Sequence, residues 1–179
     1  MSAGAAPTDV AVIGMSGSFP GSPDIGRFRE NLEAGRRFIR EVPSDRFDPR
    51  HVLGDPQSDP FATDSVLGAF LDDVDKFDAE FFSVSPRDAA RIDPQQRLML
   101  QAAWSAVEDA GIPASKLDGS AMGVFIGGGL VEYNHRLRET QGPAGRVEAA
   151  DVYPNLLPAR VSRLFNVFGP SELVSAACS

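Results

Sequence analysis

With 179 residues, 42% of them apolar and 23% charged, the chain has the make-up of a folded globular domain with a sizeable core. Its 25 acidic side chains against 17 basic ones leave a net charge of −8, the wrong sign for a protein that grips nucleic acid through its phosphates. No apolar run approaches the roughly 18 residues of a membrane span, and one cysteine with two distant histidines, His51 and His135, excludes an internal disulfide and offers no zinc-ligand spacing.

Residues 1–8 are small and uncharged in their side chains. They lack the basic and apolar regions of a secretion signal, which predicts a flexible leader and a cytoplasmic protein. Folded structure is expected from residue 9 to residue 179. Asp9-Val-Ala-Val-Ile-Gly14 is a short apolar run closed by glycine and reads as a buried strand. Asp24 caps a helix with an apolar stripe of Ile25, Phe28 and Leu32, and Gly35 stands where a helix-ending glycine belongs.

Between residues 38 and 86 the pattern changes. Prolines 43, 49, 56 and 60 and many aspartates break any period, so loops and short elements are expected, of the kind that serve an interface or a site. Residues 67–71 make an extended piece within it, and Phe77, Phe81 and Phe82 a local aromatic cluster. The aspartates from Asp45 to Asp78 are most simply solvated turn and cap residues.

Asp93-Pro94-Gln95-Gln96 is a strong helix start, with Asp at the N-cap, Pro at the first position and Gln96 placed for a capping box. Met99, Leu100, Ala103, Trp104, Val107 and Ala110 then form its core stripe, and Gly111 and Pro113 end it. Residues 122–126 read as a second buried strand, closed by the turn Gly127-Gly128-Gly129. A short helix over 158–164 and a third strand over 172–176 complete the series, the strand running into Cys178. Strands alternating with helices predict an α/β layered fold with strands at least partly parallel.

The glycines do not spell a nucleotide site. Gly14-Met-Ser-Gly17 lacks the GxGxxG spacing, no Walker-type run occurs, and Ser18 breaks any match to the hydrolase elbow. His51 and His135 have no partner at a telling distance in sequence. The lone thiol leaves two readings open: an inert buried cysteine, or a nucleophile. Small residues surround Cys178 at a strand end. If a helix follows, its unpaired N–H groups and dipole would favour the thiolate and hold an oxyanion.

Several blocks in one order carry a further signal. They are Val12-Ile-Gly-Met15, Phe19-Pro-Gly21, Phe70-Leu-Asp-Asp-Val-Asp-Lys-Phe-Asp78, Phe81-Phe82-x-x-Ser85-Pro-Arg87, Asp93-Pro-Gln-Gln-Arg97, Trp104-x-x-x-Glu108-x-Ala110-Gly111, Gly123-Val-Phe-Ile-Gly127, Ala159-Arg-Val-Ser162, Gly169-Pro-Ser171 and Ala177-Cys178-Ser179. Together they resemble a β-ketoacyl synthase, most nearly the ketosynthase domain of a modular polyketide synthase, over its N-terminal portion.

The resemblance implies the thiolase-like αβαβα fold, here in its N-terminal portion, and a homodimer. It implies an acyltransferase in which Cys178 is the catalytic nucleophile, charged from the phosphopantetheine arm of an acyl carrier protein. A malonyl-type extender is then decarboxylated and its carbanion attacks the cysteine-bound thioester. The chain itself is expected to bind no cofactor or metal, and no nucleic acid or membrane. The family's two catalytic histidines follow the cysteine, so they are expected beyond Ser179 with the remainder of the ketosynthase domain, and the 179 residues alone should not complete a condensation.

One departure from the family pattern is Ser175-Ala176, where Asp-Thr is usual. It keeps a non-catalytic ketosynthase-like scaffold or docking subunit as an alternative. A coenzyme-A-dependent enzyme of the same fold is another, against which the Asp-Pro-Gln-Gln-Arg and Ser-Pro-Arg blocks speak.

Overall fold

A computed structural model of the chain describes residues 9–129, 133, 137 and 156–175. These fall into two units, one formed by Met1–Ser16 with Val74–Ser179 and the other by Gly17–Asp73.

In the unit of residues 17–73, helix α1 (Ile25–Glu33) opens on Asp24, whose carboxylate accepts from the Arg27 N–H at 2.7 Å. The Phe28 ring stacks on Phe19 with centroids 4.0 Å apart. The third residue of the expected stripe departs from it. Leu32 is 64% exposed, and the buried member of the helix is Asn31. Its amide donates to the Gly21 carbonyl and the Ser22 hydroxyl, so the inner face of α1 is centred on satisfied polar atoms. Strand β1 (Ile39–Glu41) pairs antiparallel with β2 (Leu67–Ala69), Arg40 opposite Gly68. Between them Asp48, Asp55 and Asp59 each accept from the N–H two residues on, the Asx turns that short proline-broken stretches favour.

In the other unit, Ser85 caps the single turn α2 (Pro86–Ala89) and Asp93 caps α3 (Pro94–Asp109). Strand β3 (Val124–Gly127) lies parallel to β4 (Ser171–Val174) in the register Val124↔Ser171 to Gly127↔Val174. Helix α4 (Leu156–Phe165) packs on both strands and on α3. Leu100 of α3, Val124 and Ile126 of β3, Leu157, Val161 and Phe165 of α4, and Val167 form one buried cluster. Phe77, Phe81 and Phe82 do meet, and the contact extends to Trp104, which lies edge-on to Phe81 and stacks on Phe165.

Three expectations need correction. Residues 9–14 form no strand, and Val10 and Val12 are 93% and 78% exposed. A strand needs a ladder beside it, and none is offered here among the described residues. The segment is held instead by the Met15 N–H donating to the Asp109 carboxylate at 2.8 Å. Gly14 lies so close to α3 that a Cβ there would come within 2.3 Å of the Ala106 carbonyl oxygen. Second, β3 is half-exposed rather than buried. Val124 and Ile126 face the core while Phe125 between them is 62% exposed, the alternation of a sheet covered on one face. Third, among the described residues Gln96 makes no capping bond to Asp93; its side-chain oxygen accepts from Arg160 instead.

Candidate active site

Cys178, the expected nucleophile, lies outside the described residues, as do Ala176, Ala177 and Ser179. His135 lies outside them too.

Helix α4 ends at Phe165, and Asn166 turns the chain with φ of 49°, its amide donating to the Asp118 carboxylate. The Phe168 N–H then donates to the Ser120 carbonyl, and the Val124 N–H to the Pro170 carbonyl at 2.7 Å. Gly169 sits in this crossing with no room for a side chain: a Cβ would stand 2.4 Å from the carbonyl oxygens of both Ala121 and Met122. The Ser162 hydroxyl of α4 bonds that of Ser171, the first residue of β4, at 2.9 Å. The start of β4 is thereby fixed to both β3 and α4, and the strand ends four residues before the cysteine.

The second feature is a set of buried polar groups at the opening of α3. Arg91, Asp93, Gln96 and Arg97 are each at most 9% exposed. Asp93 accepts from the Gln95 N–H at 2.8 Å. Burial nevertheless pushes its carboxyl above the ordinary value, against the opposing pull of Gln95 and of the Arg97 charge. Gln96 accepts from the guanidinium Nε of Arg160, which ties α3 to α4 across 64 residues of sequence. Arg97 Nε is buried with no hydrogen-bond acceptor among the described residues. Tyr133 donates its hydroxyl proton to the Ala90 carbonyl at 2.9 Å, beside the same helix start.

Sequence reasoning missed the Gln96–Arg160 bond. The signal available was Gln96 itself, an amide three residues into a helix, and a capping box explained it too readily. His51 closes an exposed 3-10 turn in the other unit, where Asp48 is held below its ordinary pKa by the Arg50 guanidinium. Among the described residues no set of three His, Cys, Asp or Glu side chains is grouped to hold a metal ion. In the glycine turn, Gly128 packs on Leu173 while Gly127 and Gly129 face open space. Among the described residues no helix is long and apolar enough to cross a membrane.

Comparison with known proteins places this arrangement. Residues 8–179 match the family model of the β-ketoacyl synthase N-terminal domain. Over 175 residues the chain is 41% identical to the polyketide synthase PksN of Bacillus subtilis, covering 98% of this chain and 3% of that protein. Among solved structures it is similar to the ketosynthase from module 6 of the bacillaene synthase of Bacillus subtilis, with a TM-score of 0.79, 31% identity, and coverage of 94% of this chain and 26% of that one. The oxazolomycin ketosynthase domain OzmH KS7 of Streptomyces albus gives a TM-score of 0.75 and 34% identity, covering 92% of this chain and 28% of that one. The α/β elements thus form the N-terminal portion of the thiolase-like fold of ketosynthase domains. The chain spans 3–4% of the length of the first curated relatives it matches.

Proposed function

The chain belongs to the β-ketoacyl synthase family, in its N-terminal domain, and from that premise we propose that it is part of a condensing acyltransferase of polyketide assembly with Cys178 as nucleophile. The observation that carries the reading is family membership over residues 8–179 together with a strand, β4, that is fixed at its start and ends four residues before the cysteine in sequence.

The chemistry proceeds in two stages. The Cys178 thiolate attacks the carbonyl of an acyl thioester carried on the phosphopantetheine arm of an acyl carrier protein. A carbon–sulfur bond forms and the carbonyl electrons move to oxygen, where backbone N–H groups near the nucleophile would hold the charge. Collapse of this intermediate expels the phosphopantetheine thiolate, which takes up a proton, and leaves the acyl group on Cys178. In the second stage a malonyl-type extender on a carrier protein loses carbon dioxide. Its carbanion attacks the cysteine-bound carbonyl, a carbon–carbon bond forms, and the Cys178 thiolate leaves. The family's two histidines, expected after Ser179, support decarboxylation. The reading extends to a cytoplasmic enzyme that works with an acyl carrier protein and as a homodimer, in the company of the rest of its ketosynthase domain.

The test is a pulse of iodoacetamide on the intact protein. A nucleophilic thiolate is alkylated quickly and competes with acyl donor for the same site. The expected outcome is rapid modification of Cys178, slowed by prior incubation with an acyl thioester. An inert thiol, indifferent to donor, would point to a ketosynthase-like scaffold instead.

A further inference from the structure

Resting on the reading of Cys178 as nucleophile, we propose that Gln96 is a positioning residue for that cysteine, acting through Arg160 and helix α4. Gln96 is 2% exposed and among the most fully buried side chains described. A fully buried primary amide is costly unless its groups are met, and its oxygen is met by the guanidinium Nε of Arg160, a half-buried residue in the second turn of α4. A charged donor makes this bond stronger than a neutral one.

The geometry downstream gives the bond its reach. Two residues after Arg160, Ser162 bonds Ser171 at 2.9 Å. Ser171 faces Val124 in the parallel ladder, and Val174, the end of β4, stands four residues before Cys178. From Gln96 to β4 the path runs through two hydrogen bonds and one rigid helix, with the helix seated by Val161 and Phe165 in the core. The turn that follows offers little slack, since Gly169 is closed in by backbone carbonyls. A shift of α4 along α3 is therefore passed to the strand rather than absorbed. Displacements of about 1 Å at a reacting group cost up to about a hundredfold in rate.

The test uses the intact protein and follows acyl transfer to Cys178 from an acyl-pantetheine thioester. Gln96→Met keeps the side-chain volume and removes the acceptor, whereas Gln96→Glu keeps an acceptor for Arg160. The expected result is a loading rate about tenfold lower or worse in Gln96→Met with the apparent KM for the donor unchanged, and a rate within about threefold of the unaltered protein in Gln96→Glu. Combining Gln96→Met with Arg160→Met should cost no more than the worse single change, because the Gln96–Arg160 bond is already lost in either one. Normal loading by Gln96→Met overturns the proposal. Equal losses in the Met and Glu variants overturn it as well, since only the shape of the site would then matter. Should Gln96→Met fail to fold, Arg160→Met at the half-buried end repeats the test, and a normal rate there is equally fatal. Cys178→Ala run alongside separates the two ideas: loading that survives in it sinks the nucleophile, whereas loading that vanishes in it while Gln96→Met stays normal sinks only the positioning role.

Discussion

At the opening of α3, Asp93 does two things that pull in opposite directions. As N-cap it meets the Gln95 N–H, and as a nearly buried carboxyl it is driven toward its neutral form. A carboxyl pKa raised by folding means that the folded chain holds the proton more tightly than the unfolded one. Its contribution to stability is therefore fully present below the ordinary value of 3.8 and falls as pH rises through the higher folded value. Asp93→Asn retains an acceptor at the cap and cannot ionise. It should unfold at a temperature no lower than the unaltered protein at neutral pH, with a flatter dependence on pH in the range above 3.8. Asp93→Ala should lose about 1 kcal/mol through the missing cap. Thermal unfolding across a pH series separates these outcomes, and a steeper pH dependence in the Asn variant would contradict the assignment. The aspartate and proline at this helix start were legible in the sequence because a cap is local chemistry. Gln96 was not, because its partner lies 64 residues away.

Helix α4 and the turn into β4 carry the next scale. Phe165 is 3% exposed and stacked on Trp104, so Phe165→Ala should cost about 3–5 kcal/mol in urea unfolding. Gly169→Ala should cost about 1–3 kcal/mol, since the new methyl meets two carbonyl oxygens that belong to backbone and cannot swing aside. Leu32→Ala, on the exposed face of α1, should stay within about 0.5 kcal/mol. A Leu32 effect as large as that of Phe165 would mean that the core has been placed wrongly. Helices with caps and a clear apolar stripe, such as α3, were legible at this scale. Strands were less so. An apolar run such as residues 9–14 states a preference for burial but not what will lie beside it, and the described chain gives it the Asp109 carboxylate rather than a ladder. The segments around β3 and β4 were found with their ends shifted by one or two residues, and the single-faced burial of β3 escaped notice because Phe125 is as apolar as its buried neighbours Val124 and Ile126.

For the molecule as a whole, the ordered blocks of residues were more informative than composition. Net charge and cysteine count excluded whole classes of protein without naming one. The run from Val12-Ile-Gly-Met15 to Gly169-Pro-Ser171 carried the family, and the match over residues 8–179 bears it out. The cysteine's role is a different matter: local chemistry around Ser175-Ala-Ala-Cys178 left an inert thiol and a nucleophile both open, and resemblance chose between them. The most direct measurement is acyl transfer to the intact protein, read as a mass increase and located by peptide mapping, with Cys178→Ala beside it. The account predicts one acyl group per chain on the peptide holding Cys178 and none in the alanine variant. An acyl group found on another residue, or retained when Cys178 is replaced, would contradict it.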